Sequence, residues 1–201
     1  AGRMEMFKKH KVSRLTSTVG LFLEIGIGLI AASTLFLFAI LLGYDLVNIS
    51  STWIILIIVT MVISMHPKLF NPIINKLYKL VKKQEINLTW NYESTLEIYI
   101  ILLSHWILQG LAFFFLVKSI YITNDTILIP LIGIYSIAWV LSFLTFISPG
   151  GLGIKEGIMV LFLQSFMPLD VSIIISLFSR IVTIFHELLM ASISILLRRL
   201  E

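Results

Sequence analysis

The stretch Ser148-Pro149-Gly150-Gly151-Leu152-Gly153-Ile154-Lys155-Glu156-Gly157 carries the densest chemistry in the chain, setting a proline, four glycines and a Lys-Glu pair inside an apolar half. Proline removes a backbone donor, and glycine permits φ > 0 and close approach of the main chain. In a bilayer each unpaired backbone amide is costly, so a broken helix persists only where protein or a water-filled cavity lines it. A helix restarting near Leu152 would point free N–H groups and its positive dipole end into the break, beside Lys155. Gly150, Gly151, Gly153, Lys155 and Glu156 are therefore candidates for holding an anionic group such as a phosphate. The competing reading is a tight turn between two membrane helices, with the glycines serving packing alone.

Other charged and polar side chains sit inside apolar segments, where an ionisable group must face protein or water. Glu24 lies four residues from both Gly20 and Gly28, so the three share a helix face, and the glycines are expected to admit another helix closely. Glu97, His105 and Gln109 fall on one stripe with Ile101; a buried histidine in such a place is more often a hydrogen-bonded packing residue than a ligand. The last helix carries Ser172, Ser176, Arg180, Thr183, Glu187 and Ser194 as a continuous polar stripe. Arg180 and Glu187 stand two turns apart, about 10 Å along the axis. Each is therefore expected to meet partners on other helices. Arg180 joins the candidate headgroup site, while Glu24, His105, Gln109 and Glu187 form a candidate polar pathway. His186-Glu187 lacks the second histidine of a zinc-binding HExxH helix, so no metal is expected.

These residues need an apolar scaffold, and the composition supplies one. Of 201 residues 58% are hydrophobic and 13% charged, and the mean hydropathy is +1.01, well outside the range of soluble domains. The expected fold is all-α, a polytopic transmembrane bundle forming a single domain over residues 1–201. About six spans are expected, near 16–42, 52–65, 92–117, 127–147, 152–166 and 171–197, with a broken helix or re-entrant segment at the Pro-Gly-Gly break. Residues 66–83 read as a basic amphipathic connector lying on the membrane surface. The net charge of +4 comes from basic residues flanking apolar segments, which is no nucleic-acid signal. With no cysteine, disulfides and thiolate chemistry are excluded. Basic residues gather at 1–15, 66–83 and 198–199, so the positive-inside rule places both ends in the cytoplasm of a cell-membrane protein. The start at Ala1, with neither initiator Met nor signal pattern, suggests that the native N-terminus lies further upstream.

Pro149-Gly150-Gly151-Leu152-Gly153-Ile154-Lys155-Glu156, followed by Arg180 in the last long helix, resembles the PGGxGxxE motif of the lysylphosphatidylglycerol-synthase transmembrane-region family. Glu24 sits where that family carries an early-helix glutamate, and one or two N-terminal helices of the family pattern are expected before Ala1. His105, Gln109 and Glu187 have no clear counterpart there. The resemblance implies flippase-like movement of a charged or glycosylated phospholipid, or of a polyprenyl-phosphate lipid, between leaflets. Membrane lipids are the implied partners, an oligomer is compatible with the pattern, and no cofactor or nucleic acid is expected. With no nucleotide-binding loop in the sequence, ATP-driven transport would need a partner chain. No soluble catalytic domain fits in this length, so the chain is not expected to be an enzyme by itself. Two alternatives stand beside this one. The chain could be the membrane module or acceptor-lipid site of a separate aminoacyl- or glycosyl-lipid transferase chain, or a proton-coupled transporter of small solutes.

Overall fold

Long apolar runs free of internal proline satisfy every backbone group within one segment, and the chain resolves into such helices. In the computed structural model the described residues are 14–44, 46–47, 50–64, 91–145 and 153–200. They form α1 (Arg14–Leu41), α2 (Ser51–Ser64), α3 (Tyr92–Ile120), α4 (Leu128–Leu144), α5 (Ile154–Leu163) and α6 (Leu169–Leu200), with a 3-10 turn at Asp125–Ile127 leading into α4. There is no strand among the described residues. The bundle is all-α, with six helices in the expected order. The basic segment at 1–13, the connector at 66–83, and Gly150 and Gly151 of the break lie outside the described residues.

Among the described residues four helical stretches are long and apolar enough to cross a membrane: Leu23–Leu41, Tyr92–Ile120, Asp125–Leu144 and Leu169–Leu197. The other two helices are shorter. α2 has 14 residues. α5 has 10 residues, a rise of about 15 Å and so about half of a hydrocarbon core. The segment expected to run over 152–166 is thus a half-length helix.

Sequence explains the ends of these elements. At Gly43, with φ of 93°, α1 stops in a left-handed turn. The Gly43 N–H donates to the Ile40 carbonyl at 3.0 Å and the Tyr44 N–H to the Ala39 carbonyl at 3.4 Å, the paired bonds of a Schellman cap. Pro130 sits in the first turn of α4, where its missing N–H costs no intrahelical bond. Across the α3–α4 loop Lys118 and Asp125 form a 2.6 Å ion pair, exposed and so of small energetic weight.

α4 is the central element, with Leu131, Ile134 and Ala138 fully buried, and it packs on α1, α3 and α5. Two glycines make this possible. A Cβ on Gly110 of α3 would lie 2.7 Å from the Ile132 Cα, and one on Gly133 of α4 would lie 3.1 Å from the Phe36 Cα. Small residues in membrane helices admit close backbone approach in this way. The close approach expected at Gly20 and Gly28 is not found there. Among the described residues a Cβ at Gly20 would meet nothing within 4 Å, and one at Gly28 only the Leu102 side chain at 3.8 Å. Gly28 instead offers its carbonyl to the Trp106 indole N–H at 3.1 Å, tying α1 to α3. α6 is peripheral: it packs on α5 and touches α3, and from Ile184 to Leu197 every residue is exposed.

Candidate functional site

The half-helix α5 begins at Gly153, whose φ of 84° is a conformation that L side chains resist. Its N–H donates to Glu156 Oε2 at 2.8 Å, so the carboxylate turns back to cap its own helix, one half of a capping box. The other oxygen, Glu156 Oε1, lies 3.7 Å from Arg180 Nε on α6. Neither of those two buried atoms has a hydrogen-bond partner among the described residues. Arg180 therefore meets its counter-charge on a neighbouring helix, as its distance from Glu187 had implied.

Hydroxyl side chains close the rest of the α5–α6 seam. Ser172, Ser176 and Ser179 are buried, and Ser176 Oγ donates across the seam to the Glu156 carbonyl at 3.0 Å. Ser179 Oγ donates to the Ser176 carbonyl at 2.8 Å and reaches Met159 Sδ at 3.7 Å. Ser172 Oγ and Thr183 Oγ1 return to the carbonyls of Pro168 and Ser179 on their own helix. Such i−4 bonds satisfy a hydroxyl without a partner from another element. The first part of the polar stripe on α6 is thus a packing seam. Ser194 near its end is exposed.

One residue before Glu156, Lys155 points elsewhere. It is 5% exposed, and its ammonium lies 4.3 Å from the centroid of the Tyr135 ring, a cation–π contact. No carboxylate pairs with it among the described residues. A buried lysine normally has an acidic partner, because a lone charge in a low-dielectric interior is costly. Lys155 faces instead a cavity of ≈ 200 Å³.

Four helices build this cavity. α3 contributes His105, Trp106, Gln109 and Phe113, which lie on one face at helical spacing; α4 contributes Tyr135 and Trp139; α5 contributes Lys155; and α6 contributes Ser179, Thr183, His186 and Glu187. The aromatic wall is self-supporting: the Trp106 and Trp139 ring centroids are 4.9 Å apart and those of Phe113 and Tyr135 are 5.2 Å apart. Burial gives the cavity a direction. Trp106, Phe113, Tyr135, Lys155 and Ser179 are buried, whereas His105, Ala112, Val182, His186 and Glu187 are exposed. The lysine marks the inner end, and the exposed residues of α3 and α6 form the mouth. Beside that mouth Leu108 and Phe185 are each 66% exposed, so its flanks are apolar.

Of the residues singled out from sequence, Lys155, His105, Gln109 and Glu187 come together in the cavity. Glu156 and Arg180 pair beside it and do not line it. Glu24 is half-buried on α1 and is absent from the lining. Gly153 starts the half-helix, and Gly150 and Gly151 fall outside the described residues. Tyr135, Trp106, Trp139, Thr183 and His186 are additions that sequence reading had not selected for a site. No cluster of three or more His, Cys, Asp or Glu among the described residues could hold a metal ion. Comparison with protein-family models, curated proteins and solved structures gave no match.

Proposed function

We propose that this chain is a multi-pass protein of the cell membrane that moves a lipid with a charged or glycosylated phosphate headgroup between leaflets. The PGGxGxxE-like motif, and with it the flippase-like family it resembles, belongs to this reading. So does the topology with both ends in the cytoplasm. The observation that carries the proposal is Lys155, a buried side chain with no carboxylate partner among the described residues, at the inner end of a cavity whose mouth lies between two apolar-faced helices. A water-soluble substrate needs an aqueous approach. A lipid can leave its tails among the exposed side chains of α3 and α6 while its headgroup enters sideways. In that pose the lipid chain carries the phosphate in to Lys155 and the rest of the headgroup folds back towards the mouth, where Gln109, His105, His186 and Glu187 replace water around it. Each polar group then keeps a partner during passage, which is the requirement for crossing hydrocarbon.

The test is reconstitution of the purified chain into phosphatidylcholine vesicles holding a trace of fluorescent lipid. Fluorescent phosphatidylglycerol and a fluorescent polyprenyl-linked sugar phosphate are used in parallel. Accessibility of the label to a membrane-impermeant quencher then reports transbilayer movement. At least one of these lipids should move faster than in protein-free vesicles, and Lys155→Gln should abolish the acceleration while the protein stays folded. If neither lipid moves faster than in empty vesicles, the proposal fails.

A further inference from the structure

Accepting the lipid reading, the cavity lining narrows the headgroup, and we infer that the cavity takes one sugar ring joined to a phosphate. Size comes first. A cavity of about 150 Å³ holds one benzene, so ≈ 200 Å³ accommodates a single six-membered ring with its substituents. A second ring would extend into the mouth. The walls come second: Trp106 and Trp139 present apolar carbon, the surface against which the C–H faces of a pyranose pack. The polar complement comes third. His105, Gln109, Thr183 and His186 donate and accept hydrogen bonds without a fixed charge, which suits a ring of hydroxyls. Glu187 adds a strong acceptor at the mouth. Lys155 supplies a cation at the inner end, where a phosphate gains a charge-assisted bond. A compact ammonium headgroup is the poorer fit. It offers donors only, against a lining in which donors and acceptors are mixed, and a cation already occupies the Tyr135 face.

Binding can be read separately from transport. Of the four tryptophans, Trp106 and Trp139 line the cavity, and Trp53→Phe with Trp90→Phe leaves those two as the reporters. The purified double variant in nanodiscs is titrated with glucose 1-phosphate, inorganic phosphate, phosphoethanolamine, and a short-chain polyprenyl-linked glucose phosphate. Both sugar phosphates should quench the cavity fluorescence saturably, more tightly than inorganic phosphate or phosphoethanolamine. Lys155→Gln should weaken them about tenfold or more, the loss of a hydrogen bond to a charged group. Gln109→Ala should weaken the sugar phosphates and leave inorganic phosphate unchanged. Tighter binding of the polyprenyl form points to a lipid-linked source, and equal binding to a free sugar phosphate; both support the site. Phosphoethanolamine binding as tightly as the sugar phosphates, or no saturable binding by any probe, overturns it. Should sugar phosphates bind while neither lipid is translocated, the site stands and the transport reading falls. Should phosphatidylglycerol be translocated while sugar phosphates fail to bind, transport stands and this inference falls.

Discussion

Glu156 Oε1 and Arg180 Nε face each other at 3.7 Å across the α5–α6 seam, both buried and neither hydrogen-bonded among the described residues. The contact is electrostatic without being a formed hydrogen bond, and removing either charge strands the other. Arg180→Gln or Glu156→Gln alone should therefore cost about 1–3 kcal/mol of stability. Glutamine at 156 can still accept from the Gly153 N–H, so the cap is retained. The double variant should recover much of the loss, since contacting residues couple. Thermal denaturation of the four proteins in one detergent reads this directly; strictly additive losses would show that the two charges do not interact.

Two glycines on neighbouring parts of the bundle should behave oppositely. At Gly110 an added Cβ would sit 2.7 Å from the Ile132 Cα, a backbone atom that cannot rotate away. Gly110→Ala should destabilise by about 1–3 kcal/mol through overpacking. Gly157 in α5 has nothing within 4 Å of its Cβ position, so Gly157→Ala should be neutral or stabilise by up to about 1 kcal/mol through helix propensity. Melting temperatures of both variants decide it, and equal losses would contradict the packing described.

Gly153 differs from both, because no described residue comes within 4 Å of its Cβ position and its dihedral is special. Its φ of +84° makes Gly153→Ala costly by about 1–3 kcal/mol from backbone strain alone. The loss should persist in a Glu156→Gln background, where the capping side chain remains an acceptor. A Gly153→Ala protein as stable as the parent would mean that the start of α5 is not held in this conformation.

The absence of native cysteine makes topology directly testable. Single cysteines at Lys79 and Arg199 should react with an impermeant maleimide only from the cytoplasmic side, and those at Asn48 and Asn124 only from outside. Labelling of position 199 from outside would remove the topology proposed above.

Much of the helix order was legible because hydropathy alone marks segments that can satisfy their own backbone. The seam partner of Arg180 was legible only as a requirement. Seven residues of separation from Glu187 excluded a direct pair, but nothing along the chain said that Glu156 would turn towards α6 while Lys155 turned away. His105, Gln109 and Glu187 could be found because polar groups are conspicuous in apolar helices. Tyr135 and Trp139 could not: an aromatic residue in such a helix has the same signature whether it fills the core or walls a cavity. Gly20 and Gly28 misled for a related reason. Spacing puts two glycines on one face, yet only the packed bundle decides whether a helix comes to that face, and α4 came instead to Gly110.

The two helices that frame the cavity mouth are also the longest apolar ones. Tyr92–Ile120 and Leu169–Leu197 each have 29 residues, while Asp125–Leu144 has 20. At the α-helical rise these are about 43 Å and about 30 Å long, against a hydrocarbon core of about 30 Å. The central helix matches a bilayer upright; its two long neighbours must lean or protrude, and leaning carries the mouth with it. In a bilayer, thickness would therefore act on the aperture between α3 and α6, and the lipid surroundings would tune access to the cavity without binding in it.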